Sequence, residues 1–319
     1  MKQLCLILLI CALFSACTKE GSNEFIADPS NPQNDTTWSS SINNNSAVNQ
    51  LIDMLTLPYQ VDSFDIEAGG HVYWTNGQLG FNSNCTAQPI KGKVKVEYIY
   101  LKSKGDMVRS SKPTTSSDRI LVSGGAFFIK VSQGASVFQM AGGARLNIKY
   151  QASLPEAGMQ LFYGDTTKNS NDGFTWVPAT GDSTQVNTWQ YQDSTLLTGY
   201  EMFPSKFGWI NCDKFSDTSM PRTTLIDTLP VNFTNTNTAV FAVFKDQWSV
   251  VRLYANAADK YFYAYNMPIG SKITLISLSK IGDDLYLGAK EITVAADKVE
   301  GLSPEIASKD KIIAYLKGL

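Results

Sequence analysis

Histidine is almost missing from this chain: His71 is the only one in 319 residues. That excludes any zinc site built on two or more histidines, HExxH included. A Ser-His-Asp arrangement would have to run through His71, which stands in Gly69-Gly70-His71-Val72-Tyr73-Trp74 and reads as an ordinary strand residue. There is no G-x-S-x-G elbow and no P-loop. The glycine pairs Gly124-Gly125 and Gly142-Gly143 read as tight turns between strands. Gly282-Asp283-Asp284 lacks the ladder of oxygen ligands that calcium needs and reads as a hairpin turn. No metal or cofactor is therefore expected. A basic block is absent as well, and the formal net charge is −2, so nucleic acid is not an expected partner. The carboxylates are scattered and form no recognisable pair of the glycosidase kind. Asp213 is the strongest single candidate, because it lies among aromatics. The sequence as a whole points away from an enzyme.

Long apolar runs are also scarce. The only one covers residues 4–14, behind the positive charge of Lys2. As a helix it would span about 16 Å, against about 30 Å of bilayer hydrocarbon. It is too short to cross and has the layout of a secretory signal. The run Leu13-Phe14-Ser15-Ala16-Cys17 resembles the lipobox of bacterial lipoproteins. The resemblance implies cleavage before Cys17, acyl chains such as palmitate on that residue, and a mature protein held to the outer membrane through its N-terminal lipid. Phe14 departs from the usual aliphatic residue. Several acyl chains anchor firmly, since each buried methylene contributes about 0.8 kcal/mol.

Cysteine is sparse too, at five residues. Cys5 and Cys11 leave with residues 1–16 and Cys17 takes the lipid, so Cys85 and Cys212 remain in the folded part. Export would permit a disulfide between them, and two unrelated buried thiols are the alternative.

What the sequence has in plenty is alternation. After a polar segment, residues 17–46, expected to be a flexible tether, residues 47–57 suit a short helix with Val48, Leu51, Ile52 and Leu55 on one face, ended by Pro58. Period-two runs follow at residues 93–100, 127–131, 146–150 and 159–163. Residues 239–244 are apolar on both faces, as a central strand would be. Residues 273–278 and 285–294 flank the Gly282 turn as a hairpin. A closing helix carries Ser308 as its cap, Ile312, Ile313 and Leu316 as its stripe and Gly318 as its stop. The fold expected is mainly β, with two or three antiparallel sandwich-like domains and a short C-terminal helix. Its segments are 47–151, 152–235 and 236–319, with boundaries near Ala152 and Asn235.

The most distinctive string is Phe207-Gly208-Trp209-Ile210-Asn211-Cys212-Asp213-Lys214-Phe215. It suits a strand running into a tight polar turn, its aromatics in a core. Its GWINCD centre (Gly208, Trp209, Ile210, Asn211, Cys212, Asp213) resembles a motif of uncharacterised lipoproteins of Bacteroidetes-type bacteria. In the same proteins the stretch from Gly92-Lys93-Val94 through Thr114-Thr115-Ser116-Ser117 to Ser123-Gly124-Gly125-Ala126-Phe127 has a counterpart similar to ZU5-like β-sandwiches. The resemblance covers roughly Val61 onward. It implies β-domains and a lipid anchor but no activity, and it brings no site residues with it.

Two functional expectations follow. One is a lipid-anchored, non-catalytic envelope module that binds a protein or glycan partner. The other is a surface glycan-binding lipoprotein beside an outer-membrane uptake system, motivated by Trp74, Trp176 and Trp189 in turn-rich settings. Those rings either stack on sugars or pack in the core. Asp-Ser/Thr triplets such as Asp165-Thr166-Thr167, Asp182-Ser183-Thr184 and Asp227-Thr228-Leu229 also resemble O-glycosylation sites of Bacteroidetes-type bacteria, although about one or two would arise by chance.

The anchor has a direct test. The mature wild-type protein should outweigh the 17–319 polypeptide by its acyl chains, and Cys17→Ser should abolish palmitate incorporation. An intact mass with no acyl increment overturns the lipobox reading.

Overall fold

The computed structural model describes residues 31–166, 174–181, 186–192 and 196–319. The signal segment, the lipobox and Cys17 lie outside the described residues. Residues 31–35 belong to a separate unit, a single turn at Pro32–Asn34 whose Asn31 side chain accepts from Gln33 N at 3.0 Å. Residues 36–319 form one compact unit.

That unit is mainly β, as expected, and its strands make four sheets. The first runs in the order Gln60–Asp65, Lys93–Leu101, Arg119–Gln133, Gly208–Phe215, Gln160–Asp165, Thr175–Pro178. The second orders Val186–Gln192, Leu196–Met202, Leu146–Gln151, Gly77–Phe81, Gly70–Trp74. The third contains Tyr254–Asn256, Tyr261–Pro268, Arg222–Thr228 and Val299–Gly301, and the last two of these pair in parallel. The fourth contains Val250–Arg252, Thr238–Phe244, Lys272–Ile281, Asp284–Thr293 and Glu305–Ile306.

Strand parity sorts these sheets into layers. Val94, Val96 and Tyr98 face the second sheet, in one core with Val72, Leu79 and Ile148. On the other face of the same strand Lys95 is exposed and Glu97 half-buried, whereas Ile99 and Leu101 enter a second core. That second core gathers the helix Ala47–Leu55, the helix Lys104–Arg109, the C-terminal helix Lys309–Lys317 and one face of the fourth sheet. The fourth sheet's opposite face, with Val240 and Ala242, packs on Phe262 and Met267 of the third. Residues 238–244 are buried throughout and paired on both edges, so this strand is central, as its two apolar faces predict.

The expected boundaries do not survive this arrangement. Gly208–Phe215 pairs with Arg119–Gln133 across the position near Ala152, and Arg222–Thr228 pairs with Tyr261–Pro268 across Asn235. Sheet hydrogen bonding joins strands distant in sequence, and polar connecting stretches do not mark where it stops. The expected tether is also corrected from Thr36 onward. Trp38 packs on Phe262 of the third sheet at 5.0 Å between centroids, and Asn235 clasps the Ser39 backbone, accepting from its N at 3.0 Å and donating to its O at 2.6 Å.

The helices obey their caps. Ser46 and Ser308 accept from the backbone N of Asn49 and Lys311, each satisfying an otherwise unpaired helix-end donor. Lys104–Arg109 was not foreseen. It is one short turn-and-a-half capped by Ser103, too brief to show a period. Buried Arg109 donates from Nε to Leu55 O at 2.7 Å, satisfying the end of the first helix. Gly105 touches the C-terminal helix so closely that an added Cβ would lie 1.6 Å from Leu316 O, so no other residue fits there. The Lys272–Ile281 and Asp284–Thr293 strands close through Gly282-Asp283, with Gly282 at φ +59°, which is the hairpin expected.

Asp227 is fully buried on the third sheet, and burial pushes its carboxyl up to about 7, against the pull of Lys290. A raised carboxyl favours the native state while both states are protonated, and this stability is lost as pH rises toward the folded value. Stability should therefore fall between about pH 4 and pH 7, by on the order of 4 kcal/mol from roughly three pH units at about 1.4 kcal/mol each. Asp227→Asn should flatten that slope in pH-dependent thermal unfolding, and an unchanged slope counts against the assignment.

Candidate functional site

The GWINCD string is a strand throughout, Gly208–Phe215, in the middle of the first sheet. The tight polar turn expected within it is not there. Ile210 and Cys212 face the core shared with the second sheet, while Trp209 and Phe215 join the helical core. Asn211 and Asp213 are fully buried inside the strand. The Asn211 amide and Asp213 Oδ2 are met locally instead of by solvent, while Asp213 Oδ1 is buried without a hydrogen-bond partner. Asn211 Nδ2 donates to Asp213 Oδ2 at 2.7 Å, Ser123 Oγ donates to Asn211 Oδ1 at 3.0 Å, and Gly125 N donates to Ser123 Oγ at 3.2 Å.

Gly124-Gly125 is not a turn either. Both glycines lie inside the long Arg119–Gln133 strand, where Asn211 pairs with Ala126 but Asp213 pairs with Ser123. The extra residue is a bulge. Gly125 holds φ +128°, and a Cβ on Gly124 would lie 2.9 Å from the Tyr200 ring and 3.2 Å from Cys212 Sγ. The glycine pair therefore lets the strand kink and admits two large neighbours.

Above the bulge opens a cavity of about 640 Å³. Its floor includes Tyr100, Ser123, Gly124 and Tyr200. One wall is Asn76 with Gln151, which sit side by side because Gln151 N donates to Asn76 O at 2.8 Å. The facing wall is the hairpin turn with Gln247 and Trp248, tied to the floor by Ser123 N donating to Trp248 O at 2.9 Å. Glu156 N donates to Tyr200 Oη at 2.6 Å, which fixes the adjoining loop.

The titratable groups near this floor are sealed. Burial pushes the Asp213 carboxyl well above the usual carboxylate range, against a smaller opposing pull from Ser123. Burial likewise pushes the Cys212 thiol far up, against the Tyr150 hydroxyl. Asp213 and Cys212 therefore stay neutral and internal, serving packing and hydrogen bonding. The disulfide envisaged is absent: Cys85 and Cys212 are both free and buried in the same core. Cys212 has Tyr150 and Gly124 as neighbours, while Cys85 sits at the Thr86–Met140 bridge, its O accepting from Ala141 N at 2.8 Å. His71 is exposed on the second sheet, its ring stacked on Tyr73.

Of the tryptophans that motivated sugar stacking, Trp74 and Trp176 are turned inward, and Trp189 lies half-buried on the outer face of the second sheet. Trp176 is buried and donates from Nε1 to Pro113 O at 2.8 Å. Trp74 packs among Tyr98, Tyr100 and Phe127. Trp189 lies across Gly199 and donates to Tyr200 O at 3.1 Å. The outward aromatics of the third sheet are tyrosines: Tyr261, Tyr263 and Tyr265 share one face of a strand, and Tyr263 and Tyr265 are 4.9 Å apart. Sequence reasoning missed them, although three tyrosines at spacing two were visible. It also missed the cavity amides, because Asn76, Gln151 and Gln247 are remote in sequence. Thr228 of the Asp227-Thr228-Leu229 triplet donates to Glu300 O at 3.1 Å between strands, while the triplet at 182–184 lies outside the described residues. Among the described residues no three His, Cys, Asp or Glu gather as metal ligands would, and no helix is long and apolar enough to cross a membrane.

The buried pair separates two substitutions. Asp213→Asn keeps an acceptor for the Asn211 amide and should unfold near wild type. Asp213→Ala leaves that amide unpaired in the interior and should cost about 1–3 kcal/mol. Equal unfolding midpoints for the two variants in denaturant would refute the network.

No family model matches the chain, and no curated protein matches it.

Proposed function

We propose that this protein is a lipid-anchored, non-catalytic module of the bacterial outer membrane that binds a partner in the cavity above the glycine bulge. The cavity itself carries the binding half of the reading. It is a concave site of ligand size, on strands and hairpin turns tied together by backbone hydrogen bonds. The anchor half rests on the Leu13–Cys17 string, and the resemblance to Bacteroidetes-type lipoproteins supports the same setting without assigning an activity.

The non-catalytic half is supported by where the reactive side chains lie. Asp213 and Cys212 are enclosed, and His71 belongs to a different sheet from Asp213. Glu156 at the cavity rim is paired with Lys214 at 2.7 Å. Among these described residues, a nucleophile, a base and an open space for substrate do not converge on one point. The reading as a surface glycan binder through Trp74, Trp176 and Trp189 loses support at Trp74 and Trp176, which pack in the cores, while Trp189 lies half-buried on the outer face of the second sheet beneath Lys149.

Envelope fractionation tests the anchor, and photo-crosslinking tests the cavity. Wild type should travel with the outer membrane, and Cys17→Ser should leave it. Trp248→benzoylphenylalanine should give a discrete, light-dependent adduct in cells, whereas the same replacement at Tyr73 should not. Wild type in the soluble fraction overturns the anchor, and identical patterns at the two positions overturn the cavity as the binding site.

A further inference from the structure

The tyrosines of the third sheet stand on a face with a consistent chemistry. One row crosses all four of its strands: Tyr254 pairs with Tyr263, Tyr263 with Ile226, and Ile226 with Val299. Residues in register point to the same side of a sheet. Their chain neighbours Leu225 and Phe262 point into the core, so this row points out. Two positions further along, Asn256 pairs with Tyr261, and Thr228 with Gly301. No residue of these rows is charged. A comparable row on the outer face of the second sheet reads Tyr73, Gln78, Lys149 and Glu201, which is an ordinary solvated surface with both signs of charge.

On the third sheet the charges stand at the margins. Asp259 and Lys260 make the exposed turn before Tyr261, Arg222 pairs with Pro268 at the opposite end, and Lys298 is exposed beside Val299. Within the face, Tyr265 is 51% and Val299 57% exposed. The rings are tilted against one another, by 50° for Tyr254 and Tyr263 and by 66° for Tyr263 and Tyr265. They therefore make no flat ledge on which a sugar would stack.

An uncharged, largely apolar face left open on a folded unit marks a contact with a protein or a membrane. The path of the chain favours the membrane. In the reading proposed above Cys17 carries the lipid, and the chain from it enters the folded unit at Thr36. That entry runs along the third sheet: Trp38 packs on Phe262, the neighbour of Tyr261 and Tyr263, and Asn235 holds the Ser39 backbone. Only residues 18–35 separate the acylated residue from this point. A bilayer is thus tied covalently to the chain beside the tyrosine-bearing strand, and its effective concentration there makes even a weak contact count. Tyrosine suits such a partner, with its ring at the edge of the acyl chains and its hydroxyl among the headgroups, and marginal lysine and arginine suit the outer layer. Burying charge at that depth is costly, and the rows carry none.

We infer that the outer face of the third sheet rests on the lipid surface, with Tyr261, Tyr263, Tyr265 and Val299 as a second, non-covalent membrane contact. This rests on the reading of Cys17 as the anchor, and it adds a fixed orientation to it.

The test uses the full, acylated chain on vesicles of phosphatidylethanolamine and phosphatidylglycerol. Tyr265→Cys and, separately, Val299→Cys are labelled with the environment-sensitive fluorophore NBD, and Tyr73→Cys on the second sheet is the comparison. Cys85 and Cys212 are buried and stay unlabelled in the folded protein. Co-flotation with the vesicles reports the anchor. On vesicle binding the NBD emission of Tyr265→Cys and Val299→Cys should shift to the blue and be quenched by lipid doxyl-labelled near the headgroup. That of Tyr73→Cys should do neither. Either third-sheet site decides the matter if the other variant does not fold. Protein that floats while its third-sheet label stays in water, or is quenched no more than the label of Tyr73→Cys, overturns the membrane face and leaves the anchor standing. A blue shift that doxyl lipid does not quench and that grows with protein concentration assigns the face to a second copy and also overturns it. Protein that does not float overturns the anchor, and the membrane face falls with it.

Discussion

A carboxyl and a carboxamide buried in the middle of a strand constrain everything around them. Asp213 and Asn211 lie away from solvent and bond to each other and to Ser123 within the interior, with Asp213 Oδ1 left unpartnered. Ser123 reaches them because the partner strand bulges there, and the bulge requires Gly124-Gly125. The strand is paired along both edges and covered on both faces, by the second sheet on one side and the helical layer on the other. Relaxing the network would disturb two cores together.

The layers explain why several strands carry apolar residues on both faces. The first and fourth sheets each lie between neighbours, with three short helices filling the space between them. Gly105 permits close contact there, and Arg109 turns an exposed helix end into a satisfied one. The third sheet has one open face, and its tyrosines lie on it. A flexible tether would have left Trp38 in water. Instead it covers part of the third sheet's core, and the chain preceding the first helix is bound down from Thr36.

The same bulge shapes the cavity. With no side chain on Gly124 the floor stays low, and the hairpin holding Gln247 and Trp248 stands over it through the Ser123–Trp248 backbone bond. Asp213 and Cys212 beneath the floor are neutral and enclosed, while the lining itself mixes lysines, carboxylates, hydroxyls and the half-buried Trp248 ring. Binding surfaces of this kind recognise shape and hydrogen-bonding pattern, and they need no reacting group.

The sequence alone determined the local events, because they depend on neighbours in the chain. The Ser308 cap of the closing helix, the Gly282-Asp283 hairpin, the doubly apolar strand at residues 239–244 and the mainly β class were all legible in it. It marked residues 207–215 as unusual but misread their polarity, since Asn and Asp beside aromatics ordinarily signal a turn. Only the tertiary structure decided that these polar groups are internal, that the glycine pair is a bulge, and that Cys85 and Cys212 stay apart as thiols. It alone placed Asn76, Gln151 and Gln247 around one cavity, and it alone turned Trp74 and Trp176 inward. The reason is that strand pairing and layer packing act between residues far apart along the chain. One sequence records which faces are apolar, and it leaves open which other face each will meet.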